Sequence, residues 1–397
     1  MKEKKERIRV IDGIRGVSLL GILLANLLIF QYGIWGKDDI GFYQIASFDY
    51  GAYYFTKIFI EGSFMPIFTF LFGYSMILMK NSLERKNLKV KRHFVRRALF
   101  LVIVGLLHGY FLWEGDILLF YGLMSLILLI FINRKKKTIF GWAIAIFILS
   151  GLIGFGSYSD SMDPELIPPE RLEAYHEQTL HVYGSGSYLE ILEHRLNETP
   201  IDLGPIFMLG VLLFAPILSI PMFLFGMYAA KRKMFFQLEK EQKLYRFGLL
   251  FIPLGLIMKG AYYYFSDVAL MGIMFTFGSD LLSLGYIFLV AFLYSKFHSA
   301  KLLRVFESVG QLSMSNYLMQ TIICTTIFYG YGLGLFAQLG VLNGIFLGLL
   351  IYSLQATFSR LYLKRWKMGP VEKLSRIWTY FSLTGRPKMK QVMEETA

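Results

Sequence analysis

The sequence predicts an all-α, polytopic integral membrane helical bundle of about ten transmembrane helices, with both termini cytoplasmic. Three observations carry that prediction. Of the 397 residues, 55% are hydrophobic and only 17% charged, where a soluble domain carries about 25% charged. Apolar stretches of the roughly 20 residues needed to cross a bilayer recur along the chain. The 41 Lys and Arg residues gather on one side of those stretches. A single polytopic membrane domain over 1–397 is expected, because length priors for soluble domains do not transfer to membrane bundles.

The expected spans are 14–34, 57–79, 97–113, 117–132, 138–156, 203–230, 247–265, 268–294, 310–329 and 335–358. The first follows the charged start MKEKKERIRV. No small-residue cleavage site follows it, and Asn26, Gln31 and Trp35 suit a retained helix rather than a signal peptide. The second contains FIEGSFMPIFTFLFG, where Pro66 predicts a kink and Gly73 close helix packing. The third holds His108 and turns through Glu114-Gly115-Asp116 into the fourth. After the fifth comes a long segment, 157–202, with proline-rich turn chemistry and short helical patterns over 171–181 and 188–196. It reads as a folded extracytoplasmic lid, since a loop of this length is usually functional or disordered. Its Tyr175, Tyr183 and Tyr188 suit the membrane interface or a carbohydrate. Spans six to ten are joined by basic or glycine-rich loops. The tail, 359–397, mixes cations with Trp366, Leu374, Ile377, Trp378 and Phe381, the pattern of a cytoplasmic amphipathic helix on the inner leaflet.

Only Lys37, Lys57, Arg171, Arg195 and Lys259 break the charge partition, which otherwise follows the positive-inside rule. Acids collect in 157–202. The net charge of +13 therefore serves topology and anionic lipid contact rather than nucleic-acid binding. Cys324 is the single cysteine, so no intramolecular disulfide is possible. His176, His181 and His194 have no zinc-site spacing. GYGLGLF joins two spans and follows no strand, which excludes a nucleotide fingerprint there.

Ionisable groups near hydrocarbon are costly, and functional by default. His108, Glu114 and Asp116 are therefore the first candidates. An imidazole is a natural general base near neutral pH, and a carboxylate can orient it. A buried histidine bonded to a helix partner, with the acids capping the next helix, is the competing reading. Asp12, Arg15 and Asn26 share one face of the first span, and Asp12 can pair with Arg15 three residues on. Ser313, Asn316, Gln320 and Cys324 form a stripe on the ninth, lining a path or joining helices. Glu61 lies in the second.

The stretches RVIDGIRGVSLLGILLANLLIF, FIEGSFMPIFTFLFG, GLLHGYFLWEGDILLFYG, FESVGQLSMSNYLMQTIICTTIFYGYGLGLF and MGPVEKLSRIWTYF together resemble the bacterial YeiB-type membrane proteins, domain of unknown function 418. The resemblance covers nearly the whole chain. DGIRG and the pattern over 66–73 are more distantly similar to the transmembrane acyltransferases, including acyltransferase family three and heparan-alpha-glucosaminide N-acetyltransferase. Those enzymes move an acyl group from cytoplasmic coenzyme A to an outside or lumenal sugar. The chain departs from both at the catalytic histidine. Asn26 stands where family three usually has one, and AYYF around Ala52 where the heparan enzyme has its own.

The resemblance implies a plasma-membrane acyltransferase with acyl-coenzyme A as donor, no tightly bound cofactor, and an extracytoplasmic glycan, lipid or small-molecule acceptor. His108 would then be the base, with Glu114 or Asp116 orienting it. Arg96 and Arg97 would attract the donor's phosphates. Asp12, Arg15, Asn26, Glu61, Asn316 and Gln320 would line the path. A transporter using His108 and the nearby carboxylates as a proton relay is the alternative.

Overall fold

The computed structural model describes residues 8–155, 167–201, 205–265, 268–297 and 300–385, with backbone alone over 205–215. Residues 157–166 and 202 of the expected lid, and 386–397 of the tail, lie outside the described residues. Among the described residues the chain is helical throughout, without strands.

Helix α1 (Arg9–Gly36) has 28 residues, about 42 Å at the helical rise and more than a hydrocarbon core requires. The second span is interrupted. Helix α2 (Ser47–Phe55) runs into a π turn over Thr56–Ile60, and Glu61 leaves helical geometry with ψ 139°. Gly62 takes φ 71°, which glycine adopts without a Cβ penalty, before α3 (Phe64–Glu84) begins. Pro66 therefore sits in the first turn of α3, where its missing N–H breaks no helical bond. The kink expected at Pro66 is instead a break at Glu61–Gly62.

Helices α4 (Val90–Phe111), α5 (Leu118–Ile127) and α6 (Lys136–Ile153) follow, then the lid helices α7 (Pro169–Ser185) and α8 (Tyr188–Asn197). The rest of the bundle is α9 (Pro205–Lys231), α10 (Gln242–Gly248), α11 (Phe251–Tyr264), α12 (Met271–Phe297), α13 (Lys301–Gln311), α14 (Ser313–Phe328) and α15 (Val341–Arg365), closed by the tail helix α16 (Pro370–Tyr380).

Among the described residues, seven helical segments are long and apolar enough to cross a membrane: Arg9–Gly36, Ser47–Glu84, Val90–Phe111, Lys136–Ile153, Gln242–Tyr264, Met271–Phe297 and Val341–Arg365. Leu118–Ile130 and Pro216–Lys231 are shorter apolar helices. The chain is an all-helical, multi-pass membrane protein. The stretch expected as one span over 310–329 is divided, because Leu312 leaves helical angles (φ −109°, ψ 30°) between α13 and the 16-residue α14. Helix α13 lies instead against α1, backbone to backbone. A Cβ at Gly16 would strike the Phe306 carbonyl, and one at Gly310 the Asp12 carbonyl. The same device seats α3 on α9, where Gly73 meets the Phe223 carbonyl and Gly226 the Phe70 carbonyl. Small residues allow this approach in a medium that gives helices no hydrophobic reason to associate.

Helix α4 divides into two faces at helical spacing. Leu99, Ile103, Leu106 and Tyr110 are exposed, while Phe94, Ala98, Leu101, Gly105 and His108 are buried. The tail helix joins the bundle through Glu372, whose carboxylate accepts from the Met314 and Ser315 backbone N–H groups and from Ser315 Oγ (2.8, 3.2 and 2.6 Å). It thereby caps the start of α14, where a negative charge is favoured.

Candidate functional site

His108 ends the buried face of α4, and the turn after it brings Asp116 back over the ring. Their Nδ1–Oδ2 distance is 2.7 Å, with side chains 2% and 5% exposed. The second oxygen, Oδ1, accepts the Leu119 N–H at 2.8 Å, so one carboxylate both caps α5 and holds the imidazole. A carboxylate at Nδ1 places the ring proton there and leaves Nε2 as the acceptor. Nε2 lies 3.0 Å from Thr321 Oγ1 on α14, and the hydroxyl donates. Tyr317, one helical step away, accepts from the Ile117 N–H (3.3 Å) and donates to the Gly115 carbonyl (3.2 Å). It pins the turn that carries Asp116. Sequence spacing pointed to His108 and both acids, but Asp116 alone is the partner.

Glu114 turns instead toward the lid, its Oε2 3.7 Å from Arg195 Nη1. Burial pushes its carboxyl above the usual range, and Arg195 opposes that shift. Arg195 also donates to the carbonyls of Leu112 (2.9 Å) and Tyr110 (2.5 Å), and Tyr188 Oη donates to Phe111 (2.8 Å). These bonds of the lid fall on residues between His108 and Asp116, at the end of α4. Inside the lid, Thr179 bonds His194 Nε2 at 2.9 Å, and Tyr175 stacks on the same ring. Burial lowers the His176 and His194 pKa values and raises that of Tyr183.

Beneath the lid, Tyr183 and Tyr329 meet edge to face at 4.8 Å, and Trp113 stacks on Phe30 at 4.3 Å. Trp113 Nε1, Tyr329 Oη and His194 Nδ1 are buried with no hydrogen-bond partner among the described residues. Buried polar atoms normally find partners. This aromatic, polar patch lies on the side of the His108–Asp116 pair that faces α7 and α8.

The other residues expected to line a path fall in separate places. Asp12 and Arg15 pair at 3.1 Å near the start of α1, where Arg15 also donates to Ser75 Oγ (3.0 Å). Arg97 lies over the Phe72 ring at 5.2 Å, with Nη1 3.5 Å from Met79 Sδ, and Arg96 lies over Phe381 of the tail at 4.0 Å. Asn26 is half-buried in α1. Asn316 and Gln320 bond across to α15, through Ser359 (3.0 Å) and Gln355 (3.0 Å). Cys324 is buried and free.

Glu61 belongs to an ion-pair network at the break in the second span. It meets Lys37 at 2.8 Å and Lys57 at 2.6 Å, and Asp38 bridges the same two lysines. Lys259, fully buried, donates to the Glu61 carbonyl (2.5 Å) and to Ser63 Oγ (3.1 Å). A cation at this position offsets the carbonyls left open where the helix stops. Thr321, Tyr317, Arg195 and Lys259 were not among the residues expected at a site. For Arg195 and Lys259 a signal existed: both are among the five cations that break the charge partition, Arg195 in the segment 157–202 and Lys259 within an expected span.

The fold and the buried pair define the class: a polytopic helical membrane protein with a histidine–carboxylate centre near one end of the bundle, under a helical lid. The chain belongs to the family described as protein of unknown function DUF418, whose profile matches residues 229–382. It is 34% identical over 391 residues to the uncharacterized protein YxaH of Bacillus subtilis (strain 168), covering 95% of each chain. It is 27% identical over 388 residues to the uncharacterized protein YeiB of Escherichia coli (strain K12), covering 94% of this chain and 96% of that one. An uncharacterized 39.9 kDa protein of Bacillus acidopullulyticus, from an amylase 3' region, is 26% identical over 380 residues, 94% of each chain. The matched profile region contains Thr321 but not His108 or Asp116.

Proposed function

We propose that the protein is an acyltransferase of the bacterial plasma membrane, with both termini in the cytoplasm. It would move an acyl group from cytoplasmic acyl-coenzyme A to a hydroxyl or amine of an extracytoplasmic glycan, lipid or small molecule. The observation that carries this reading is the line Asp116–His108–Thr321, with contacts of 2.7 and 3.0 Å. A carboxylate fixes the tautomer, and Nε2 already accepts a hydroxyl proton, the geometry a general base needs. An acceptor hydroxyl taking the place of Thr321 Oγ1 gives its proton to Nε2 while its oxygen bonds the acyl carbon. The carbon–sulfur bond breaks, and the imidazolium returns the proton to the departing thiolate.

The surroundings agree with those roles. The buried aromatic rings and unpartnered polar atoms beneath the lid offer stacking and hydrogen bonds to a hydroxylated acceptor. Arg96 and Arg97 stand toward the opposite end of α4 from His108, and the cation partition supports a cytoplasmic setting for that end. They supply positive potential for the donor's phosphates. The pairing of Asp12 with Arg15 supports a structural role there.

The second reading, a transporter with His108 as a proton relay, is favoured by one observation. Both imidazole nitrogens are bonded and the residue is 3% exposed, as suits a relay sealed between two states. The two readings separate in liposomes. Given acetyl-coenzyme A and a panel of sugars and envelope lipids, the purified protein should release free thiol, and His108→Ala should abolish release without loss of folding. Absence of turnover together with proton-coupled solute flux would replace the enzyme by the transporter.

A further inference from the structure

Helix α15 and the amphipathic α13 leave a groove of about 230 Å³ between them, lined by Val305, Ala356, Thr357, Arg360, Leu361 and Lys364. Its composition is divided along its length. Thr357 donates its hydroxyl to the Ser353 carbonyl (2.9 Å), so it turns its donor away, and Val305, Ala356 and Leu361 complete an apolar floor. Arg360 and Lys364 stand one turn apart at one end. Both are exposed, and neither has an ion pair or hydrogen bond among the described residues.

The depth of this groove in the bilayer follows from its neighbours. Leu354, Phe358 and Leu361 are more than half exposed on α15, as befits a face in hydrocarbon. A series of ring contacts from Phe358 through Tyr362 to Trp366 (6.0 and 6.2 Å) then leads out of it. Aromatic residues of this kind mark the membrane–water interface. Arg360 and Lys364 therefore stand at headgroup level, and Ala356 lies about 6 Å deeper along the helix, among acyl chains.

We infer that the groove between α13 and α15 binds one anionic phospholipid, its phosphate held by Arg360 and Lys364 and one acyl chain laid along Thr357, Ala356 and Val305. Charge complementarity selects the occupant. Two unpartnered cations above an apolar floor match an anionic headgroup with its own chain, and basic pockets between membrane helices hold such lipids. A free phosphate would leave the floor unused, and a zwitterionic lipid would bring an ammonium to the two cations. The site is remote from His108 and independent of the acyl-transfer reading.

The test uses the purified full-length protein in dodecyl maltoside, titrated with palmitoyl-oleoyl phosphatidylglycerol or phosphatidylcholine, with bound lipid counted by native mass spectrometry. One phosphatidylglycerol should be retained in preference to phosphatidylcholine. Arg360→Gln with Lys364→Gln should weaken that retention roughly tenfold or more, the combined worth of two headgroup-level cations. Thr357→Trp should weaken it with both charges intact, and the charge-preserving pair Arg360→Lys with Lys364→Arg should keep it. Lys240→Gln with Lys243→Gln, which removes two cations elsewhere, should change nothing. Equal retention of both lipids, insensitivity to the paired glutamines or to Thr357→Trp, an equal loss with the Lys240 and Lys243 changes, or displacement by equimolar inorganic phosphate would overturn the proposal.

Discussion

Replacing Asp116 by asparagine keeps the side-chain shape and removes its charge, so it separates orientation from catalysis. The carboxylate has two duties: Oδ2 takes the His108 Nδ1 proton at 2.7 Å, and Oδ1 takes the Leu119 N–H at 2.8 Å. Asparagine has a single acceptor oxygen. If that oxygen stays on Leu119, its NH₂ faces Nδ1, and the ring proton must move to Nε2. Nε2 then cannot take a proton from Thr321 or from an acceptor. If the oxygen stays on His108, the amide instead confronts the Leu119 N–H, donor against donor. The second arrangement costs about 1–3 kcal/mol of stability, because it leaves one buried donor unsatisfied, whereas the first keeps every donor paired, with Nε2–H donating to Thr321 Oγ1, and changes the tautomer alone. The effect on turnover should be larger. Loss of general-base action costs about 10²–10⁴-fold, with the wrong tautomer toward the upper end, or roughly 3–5 kcal/mol of barrier. Thiol release from acetyl-coenzyme A in proteoliposomes measures turnover, and thermal unfolding measures stability. Glu114→Gln, which leaves the Nδ1 contact in place, should lose far less activity. Full turnover in Asp116→Asn, or a greater loss in Glu114→Gln, would refute the assignment of Asp116 as the orienting acid.

Further outcomes follow from the packing and from the lid. Burial raises the Glu114 pKa, so its folded form resists ionisation and its contribution to stability falls as pH rises upward from the ordinary carboxylate value near 4.5. Glu114→Gln should therefore raise the unfolding temperature more at pH 8 than at pH 4, and an equal shift at both would contradict the buried setting. Gly226→Ala drives a methyl into the Phe70 carbonyl and should destabilise the protein by about 1–3 kcal/mol, read by thermal unfolding. A neutral result would mean that α3 and α9 are not in backbone contact. Lys259→Met removes the donor to the Glu61 carbonyl and Ser63. It should cost about 1–3 kcal/mol and speed hydrogen exchange over 56–63, whereas unchanged exchange would show that the break stands without the lysine.

The candidate centre was only partly legible in the sequence. His108 and Asp116 stand out because ionisable groups beside apolar runs are rare, and that rarity is visible in one dimension. Thr321 is 213 residues from His108 and looks like any threonine in a membrane helix, so the third member of the line had no local signature. Glu114 and Asp116 were equivalent on paper. They differ because Gly115 and Tyr317 turn one acid inward and Arg195 draws the other to the lid. A usable signal lay in the exceptions to the charge partition. Lys37, Lys57 and Lys259 meet at the break in the second span, and Arg195 latches the lid. The stretch FIEGSF held a further clue, since a glycine between two polar residues permits the positive φ at which that helix stops.

Sequence alone determined that this is a helical, multi-pass membrane protein, because partition into a bilayer depends on the summed hydrophobicity of each segment and hardly on what the segment touches. Cation placement follows the same one-dimensional logic. Tertiary structure decided which acid serves His108, that Glu61 belongs to an ion-pair network apart from it, and that α13 leaves the axis of α14. Those outcomes depend on hydrogen bonds that work only within a few tenths of an ångström, and helix packing, down to the glycines that let backbones touch, sets such distances between residues far apart in the chain.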